Sequence, residues 1–210
     1  MPIDDRGFWT GSAMERPYGQ SVAFNRWISE YLKRQPTAPI YDLGCGGGHL
    51  LATLQDAGVQ DLTGFEGEPM PFDANLADKH RHDPYSLDSY GAGRVFQNVI
   101  QQDITQRIYA RLPGHAICIE VAEHIPDRLL PDLLANLRVL VMPGGKMIAS
   151  WAIRGQPGHG HVSCLDNWEA IARFENAGFR VVENATREAR DLDHGGCVWF
   201  RNTTLIMEKT

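Results

Sequence analysis

Basic residues are few in this chain of 210 residues: 20 Lys and Arg against 26 Asp and Glu, a formal net charge of −6, with no Lys/Arg cluster. Proteins that grip phosphate backbones usually carry a basic face, so nucleic acid is not an expected partner. Long apolar runs are also missing, and nothing approaches the roughly 20 residues that cross a bilayer. The first ten residues, MPIDDRGFWT, are acidic and polar where a secretory leader is basic and then apolar. A cytoplasmic protein is expected. Cysteine is scarce: Cys45, Cys118, Cys164 and Cys197 stand far apart without a CxxC pair, which argues against a disulfide framework or a thiolate zinc site. Internal repeats and low-complexity tracts are absent.

What is present is a hydrophobic content of 43%, enough for one sizeable core, so residues 1–210 are read as a single domain. Residues 20–34 carry Val22, Phe24, Trp27, Ile28, Tyr31 and Leu32 at near-helical spacing, and Pro36 and Pro39 follow. An arm and a helix thus occupy 1–35. IYDL (40–43) reads as a strand and HLLATLQDAG as a helix closed by Gly58. Further strands are expected in 61–67, 94–104, 116–122, 145–153, 179–185 and near 197–209, with helices over 128–141 and 164–178. Such alternation predicts an α/β fold with a mostly parallel sheet. The last two strands, joined by a polar loop too short for a crossover helix, are expected to pair antiparallel. Residues 67–93 break the rhythm with three prolines and mixed charges, the profile of an insertion or lid loop.

The densest signal is YDLGCGGG, residues 41–48. A glycine-rich turn between a strand and a helix lets the main chain approach a ligand, with helix N–H groups directed at it. Gly44, Gly46 and Gly48 do not follow GxGxxG, since His49 and Leu50 come next. Asp42 would repel a pyrophosphate but suits a cation or ammonium group. Glu66, about 20 residues on at the end of the second strand, stands where an acidic side chain reaches ribose hydroxyls. Together they describe a cationic nucleoside.

YDLGCGGG resembles motif I of the class I S-adenosylmethionine-dependent methyltransferases, and the likeness continues through Glu66, Asp103 in IQQDI, CIEVAEHI and LVMPGGKMIAS. The resemblance implies a Rossmann-like three-layer sandwich with a seven-stranded, mostly parallel sheet and an antiparallel last strand. It implies S-adenosyl-L-methionine as cofactor and a small-molecule acceptor. Asp42, Gly44 and Gly46, with Cys45 between them, would lie along the methionine portion. Glu66 and Gly67 would hold the ribose, Asp103 and Ile104 would meet adenine, and Glu120 would face the cofactor. Tyr18 or Arg16 would meet the cofactor's carboxylate, beside Phe8 and Trp9 of the same arm. Turn capping by Asp42 and helix capping by Asp103 are the structural alternatives.

Glu120, Glu123 and His124 follow an ExxEH spacing similar to that of ubiquinone-type O-methyltransferases and small-RNA 2′-O-methyltransferases, where two carboxylates and a histidine hold a divalent metal. Those relatives add a histidine after strand five, where this chain has His159 and His161. The implied metal set is Glu120, Glu123, His124 and His161, suited to magnesium, manganese or zinc. Glu123 capping the following helix is the alternative. Without a metal, His161 is the preferred base, with His124 and the weaker His159 as further candidates. His80, His82 and His194 read as structural or solvated. Trp151 is placed to line an acceptor pocket, whereas Trp168 and Trp199 read as packing residues. Methylation of a hydroxyl, in secondary metabolism or sugar modification, is the leading expectation. An amine or carboxylate acceptor, or a non-catalytic S-adenosylmethionine-binding partner, is the alternative.

Overall fold

The computed structural model describes residues 5–6, 21–67 and 98–210. Phe8, Trp9, Arg16, Tyr18, His80, His82 and the insertion after Gly67 lie outside the described residues. Helix α1 (Val22–Lys33) opens with Ser21, whose Oγ accepts the Phe24 amide at 3.2 Å, and buries Phe24, Ile28, Tyr31 and Leu32 along one side. Then come β1 (Ile40–Leu43), α2 (His49–Asp56), β2 (Leu62–Glu66), β3 (Val99–Gln101) and β4 (His115–Cys118). Helix α3 (Leu130–Leu140), β5 (Lys146–Ser150), α4 (Asn167–Asn176), β6 (Phe179–Val181), α5 (Glu183–Arg190), α6 (Phe200–Thr203) and β7 (Thr204–Lys209) complete the order.

The seven strands form one sheet in the order β3-β2-β1-β4-β5-β7-β6, with β7 antiparallel to both β5 and β6 and every other pairing parallel. The antiparallel end is as expected, but the connection is not a polar loop. Residues 182–185 enter α5 instead of extending β6, and 200–203 are helical instead of strand. Helix α5 buries Ala185, Thr186 and Ala189, a face too small to register as an apolar stripe.

Side chains alternate across the sheet, so both faces carry a core. Ile40, Ile117, Ile148 and Ile206 meet Phe24, Ile28, Leu51 and Leu54 of α1 and α2 on one face. Tyr41, Leu43, Ala116, Met147 and Met207 meet Leu133, Leu137 and Phe174 of α3 and α4 on the other. That is a three-layer sandwich. His194, which reads as a turn residue, is a buried bolt: Ser21 Oγ lies 3.1 Å from its Nδ1 and Ala189 O 3.0 Å from its Nε2, tying α1 to α5. Among the described residues no helix is long and apolar enough to cross a membrane.

The sheet order reverses between β1 and β4, and open α/β sheets bind ligands at the carboxyl ends of the strands at such a switch point. The glycine turn after β1, Glu66 at the end of β2 and Glu120 just past β4 lie at these strand ends.

Candidate active site

The turn after β1 is built for close approach. Gly44, Gly46 and Gly48 all have positive φ, 74°, 53° and 73°, conformations that cost a side-chain-bearing residue. A Cβ on Gly44 would lie 2.5 Å from Val121 Cγ2, so the turn packs directly on the chain leaving β4; a Cβ on Gly46 would meet nothing within 4 Å. The space above Gly46 is therefore open. Glu66 braces the turn: its Oε2 accepts the Gly46 amide at 2.8 Å and its Oε1 the Gly67 amide at 2.8 Å. Asp42, opposite Gly64 and Ile117 in the sheet register, is only 4% exposed. Burial, reinforced by the Glu66 charge, pushes its carboxyl up to about 7. Cys45 is a free thiol raised by burial and by Asp42 and Glu66, a packing residue rather than a nucleophile.

Asp103, beyond β3, closes a turn: its Oδ1 accepts the Thr105 amide at 2.8 Å and the Thr105 hydroxyl at 2.7 Å. No helix follows it, so helix capping does not describe its role. Its other oxygen forms an ion pair with Arg6, and Ile104 is buried in the core. Arg6 is a partner that sequence reasoning missed, because nothing local links residues so far apart.

Strand β4 ends at Cys118, so Glu120 lies past it, with a left-handed φ of 54°. Ser150, the last residue of β5, accepts the Glu120 amide at 2.8 Å and donates its hydroxyl to Glu120 Oε1 at 2.7 Å. Gln156 Nε2 lies 3.5 Å from Oε2. Burial raises the Glu120 carboxyl to about 7 against these hydrogen bonds. Ser150 was not singled out from the sequence; its signal is a lone polar residue at the carboxyl end of an otherwise apolar strand, KMIAS.

Glu123 and His124 lie in a 3₁₀ turn, Ala122–His124. Glu123 caps no helix. It is fully buried and neither carboxylate oxygen has a hydrogen bond at ordinary geometry, while its carbonyl accepts the Val162 and Ser163 amides at 2.8 and 3.0 Å. Burial first, and Glu120 second, hold its carboxyl well above the ordinary range. Those two amide bonds dock the loop after β5 onto the loop after β4. They bring His161 to His124, with ring centroids 5.1 Å apart and the rings edge to face.

His124 Nδ1 lies 3.2 Å from Gly160 O, and His161 Nδ1 lies 3.3 Å from Gln156 O. A carbonyl only accepts, so in each ring Nδ1 carries the proton and Nε2 the basic lone pair. Burial, then the neighbouring His161 and His159, lower His124 to about 4, and burial lowers His161 as well. Both imidazoles are neutral at neutral pH. One ligand atom each from Glu123, His124 and His161 lies within 4.8 Å of the others; Glu120 does not join them. His159 is exposed on the same loop.

Trp151 does not line the crevice: it is 1% exposed, stacks edge-on against Phe174, and donates its Nε1 proton to Ser163 O at 2.7 Å. Trp168, expected to pack, is 69% exposed.

A family model described as a methyltransferase domain matches residues 16–184. No curated protein sequence matches the chain. Among solved structures, a sugar N-methyltransferase from a Streptoalloteichus species is similar at 14% identity over 100% of this chain and 98% of that one, with a TM-score of 0.61. A 1,6-didemethyltoxoflavin-N1-methyltransferase of Burkholderia thailandensis is similar at 18% identity over 96% and 80%, TM-score 0.56. Magnesium protoporphyrin IX methyltransferase of Synechocystis PCC 6803 is similar at 17% identity over 90% and 79%, TM-score 0.55. At such identities the structural likeness speaks for the fold, and the family model for the membership. The chain belongs to the methyltransferase-domain family, the class I S-adenosylmethionine-dependent methyltransferases.

Proposed function

We propose that this enzyme binds S-adenosylmethionine above the Gly44–Gly48 turn and transfers its methyl group to a hydroxyl oxygen of a small molecule, with His161 as general base. The carrying observation is the pair of neutral imidazoles, His124 and His161, at the crevice edge with Nδ1 of each committed to a carbonyl. The acceptor oxygen attacks the methyl carbon, the C–S bonding pair passes to sulfur, and the hydroxyl proton passes to His161 Nε2. Positive charge at sulfur disappears, so orientation and deprotonation carry most of the acceleration. Asp42 and the glycine turn serve the methionine portion, Glu66 the ribose, and Asp103 the adenine end.

Glu123, His124 and His161 also fit a divalent metal. They offer one carboxylate and two neutral imidazoles whose ligand atoms lie within 4.8 Å of one another, and the buried Glu123 oxygens make no hydrogen bond of ordinary geometry. When bound, such an ion lowers the pKa of a coordinated hydroxyl. Zinc or manganese at 100 times its Kd is expected to stabilise the wild type by about 2.7 kcal/mol, read as a rise in Tm, and Glu123→Gln is expected to lose that rise.

An amine acceptor is the second reading. It is favoured by the buried carboxylates Asp42, Glu120 and Glu123, and by the similar structures named as N-methyltransferases. Release of S-adenosylhomocysteine across matched hydroxyl and amine panels separates the readings. With a hydroxyl acceptor, His161→Ala should lower kcat about 100-fold with the cofactor Kd unchanged, and kcat/KM should climb with pH to a plateau reached by neutrality. With an amine, the loss should stay below about tenfold. A protein that binds no S-adenosylmethionine would end both.

A further inference from the structure

Asp42, Glu66 and Glu120 all lie near the glycine turn or the end of β4, and their surroundings separate them. Asp42 is sunk in β1, and the two oxygens of Glu66 brace the amides of the glycine turn. Glu120 is half-buried, and it adjoins Val121, the residue that packs on Gly44. A left-handed conformation at a residue bearing a side chain persists only where neighbours over-determine it. Here the Ser150 hydroxyl takes the Glu120 amide at 2.8 Å and gives its proton to one carboxylate oxygen at 2.7 Å, while Gln156 Nε2 lies 3.5 Å from the other.

We propose that Ser150 is a positioning residue: its two-point clasp aims the Glu120 carboxylate at the cofactor's sulfonium, so that the site prefers S-adenosylmethionine over S-adenosylhomocysteine. This rests on the cofactor site proposed above. The two compounds differ by a methyl group and one positive charge at sulfur, so a carboxylate held there discriminates between them by Coulomb attraction. It therefore favours exchange of spent product for fresh donor. Ser150 is 1% exposed and sits at the end of a core strand, so it contributes through Glu120 rather than by touching the cofactor.

Calorimetric titration of the full-length protein with each compound at pH 8 tests this. Wild type should bind S-adenosylmethionine more tightly. Glu120→Gln, which keeps the shape and removes the charge, and Ser150→Ala, which removes the clasp, should each cut the preference by about fivefold or more. A merely structural role for Ser150 would weaken both ligands by the same factor, and that result overturns the assignment. Should Ser150→Ala fail to fold, Ser150→Cys, similar in size and weaker in hydrogen bonding, takes its place with a drop in the same direction; an unchanged ratio there also overturns it. If wild type binds neither compound, the methyltransferase site and this assignment fall together; if it binds both and only the ratio fails to respond, the Ser150 assignment alone falls.

Discussion

Asp42 shows how burial makes a single carboxylate costly. Its carboxyl is raised to about 7, first by burial and then by Glu66, so in the unliganded protein ionisation opposes folding. The sign follows from proton counting: between about pH 4 and 7 the folded state binds more protons than the unfolded state, so this group's contribution falls as pH rises through that window. At pH 8 the cost approaches about 4 kcal/mol at 1.36 kcal/mol per tenfold change. Asp42→Asn should therefore raise the Tm of the unliganded protein at pH 8, with a much smaller change at pH 4. The same substitution should weaken S-adenosylmethionine binding about tenfold or more at pH 8. Calorimetry of variant and wild type at both pH values reads both effects. Asp42 was legible as a charged residue before a glycine turn; its burial was not, because only the pairing of β1 between β2 and β4 removes it from water.

At the scale of the element, the glycine turn makes a sharper forecast. Gly44 and Gly46 both have positive φ, yet an added Cβ collides with Val121 at the first and meets open space at the second. Gly46→Ala should cost only about 1–2 kcal/mol of backbone strain in a urea titration, yet abolish cofactor binding by filling the space above the turn. Gly44→Ala should cost more stability, because the Val121 contact adds to the strain. Equal stability losses would contradict the close packing of these two loops. Other elements were read unevenly. Helix α1 was plain from its apolar spacing, with its Ser21 cap added by the structure, whereas α5 was missed because ENATREAR turns only alanines and a threonine inward. Strand β4 proved shorter than its apolar run, which is why Glu120 leaves the sheet and meets Ser150.

For the whole molecule, the last strand holds the sheet's antiparallel edge together. Strand β7 lies between β5 and β6, and Leu205, Ile206 and Met207 are at most 1% exposed. Burying three such side chains is worth about 6 kcal/mol, comparable with the net stability of an entire domain. Deleting residues 204–210 should leave no cooperative urea transition by circular dichroism, although every proposed site residue remains. A cooperative transition near the wild-type midpoint would show that β7 is dispensable.

By itself, the sequence determined the alternation of strands and helices, the position of the glycine turn, and the identities of its acidic neighbours. These are local matters of apolar period, glycine permissiveness and charge. Tertiary structure alone decided which groups touch: His124 with His161 through two amides bonded to the Glu123 carbonyl, Glu120 with Ser150, and Asp103 with Arg6. Such contacts join residues far apart in the chain, and only assembly of the sheet brings them together.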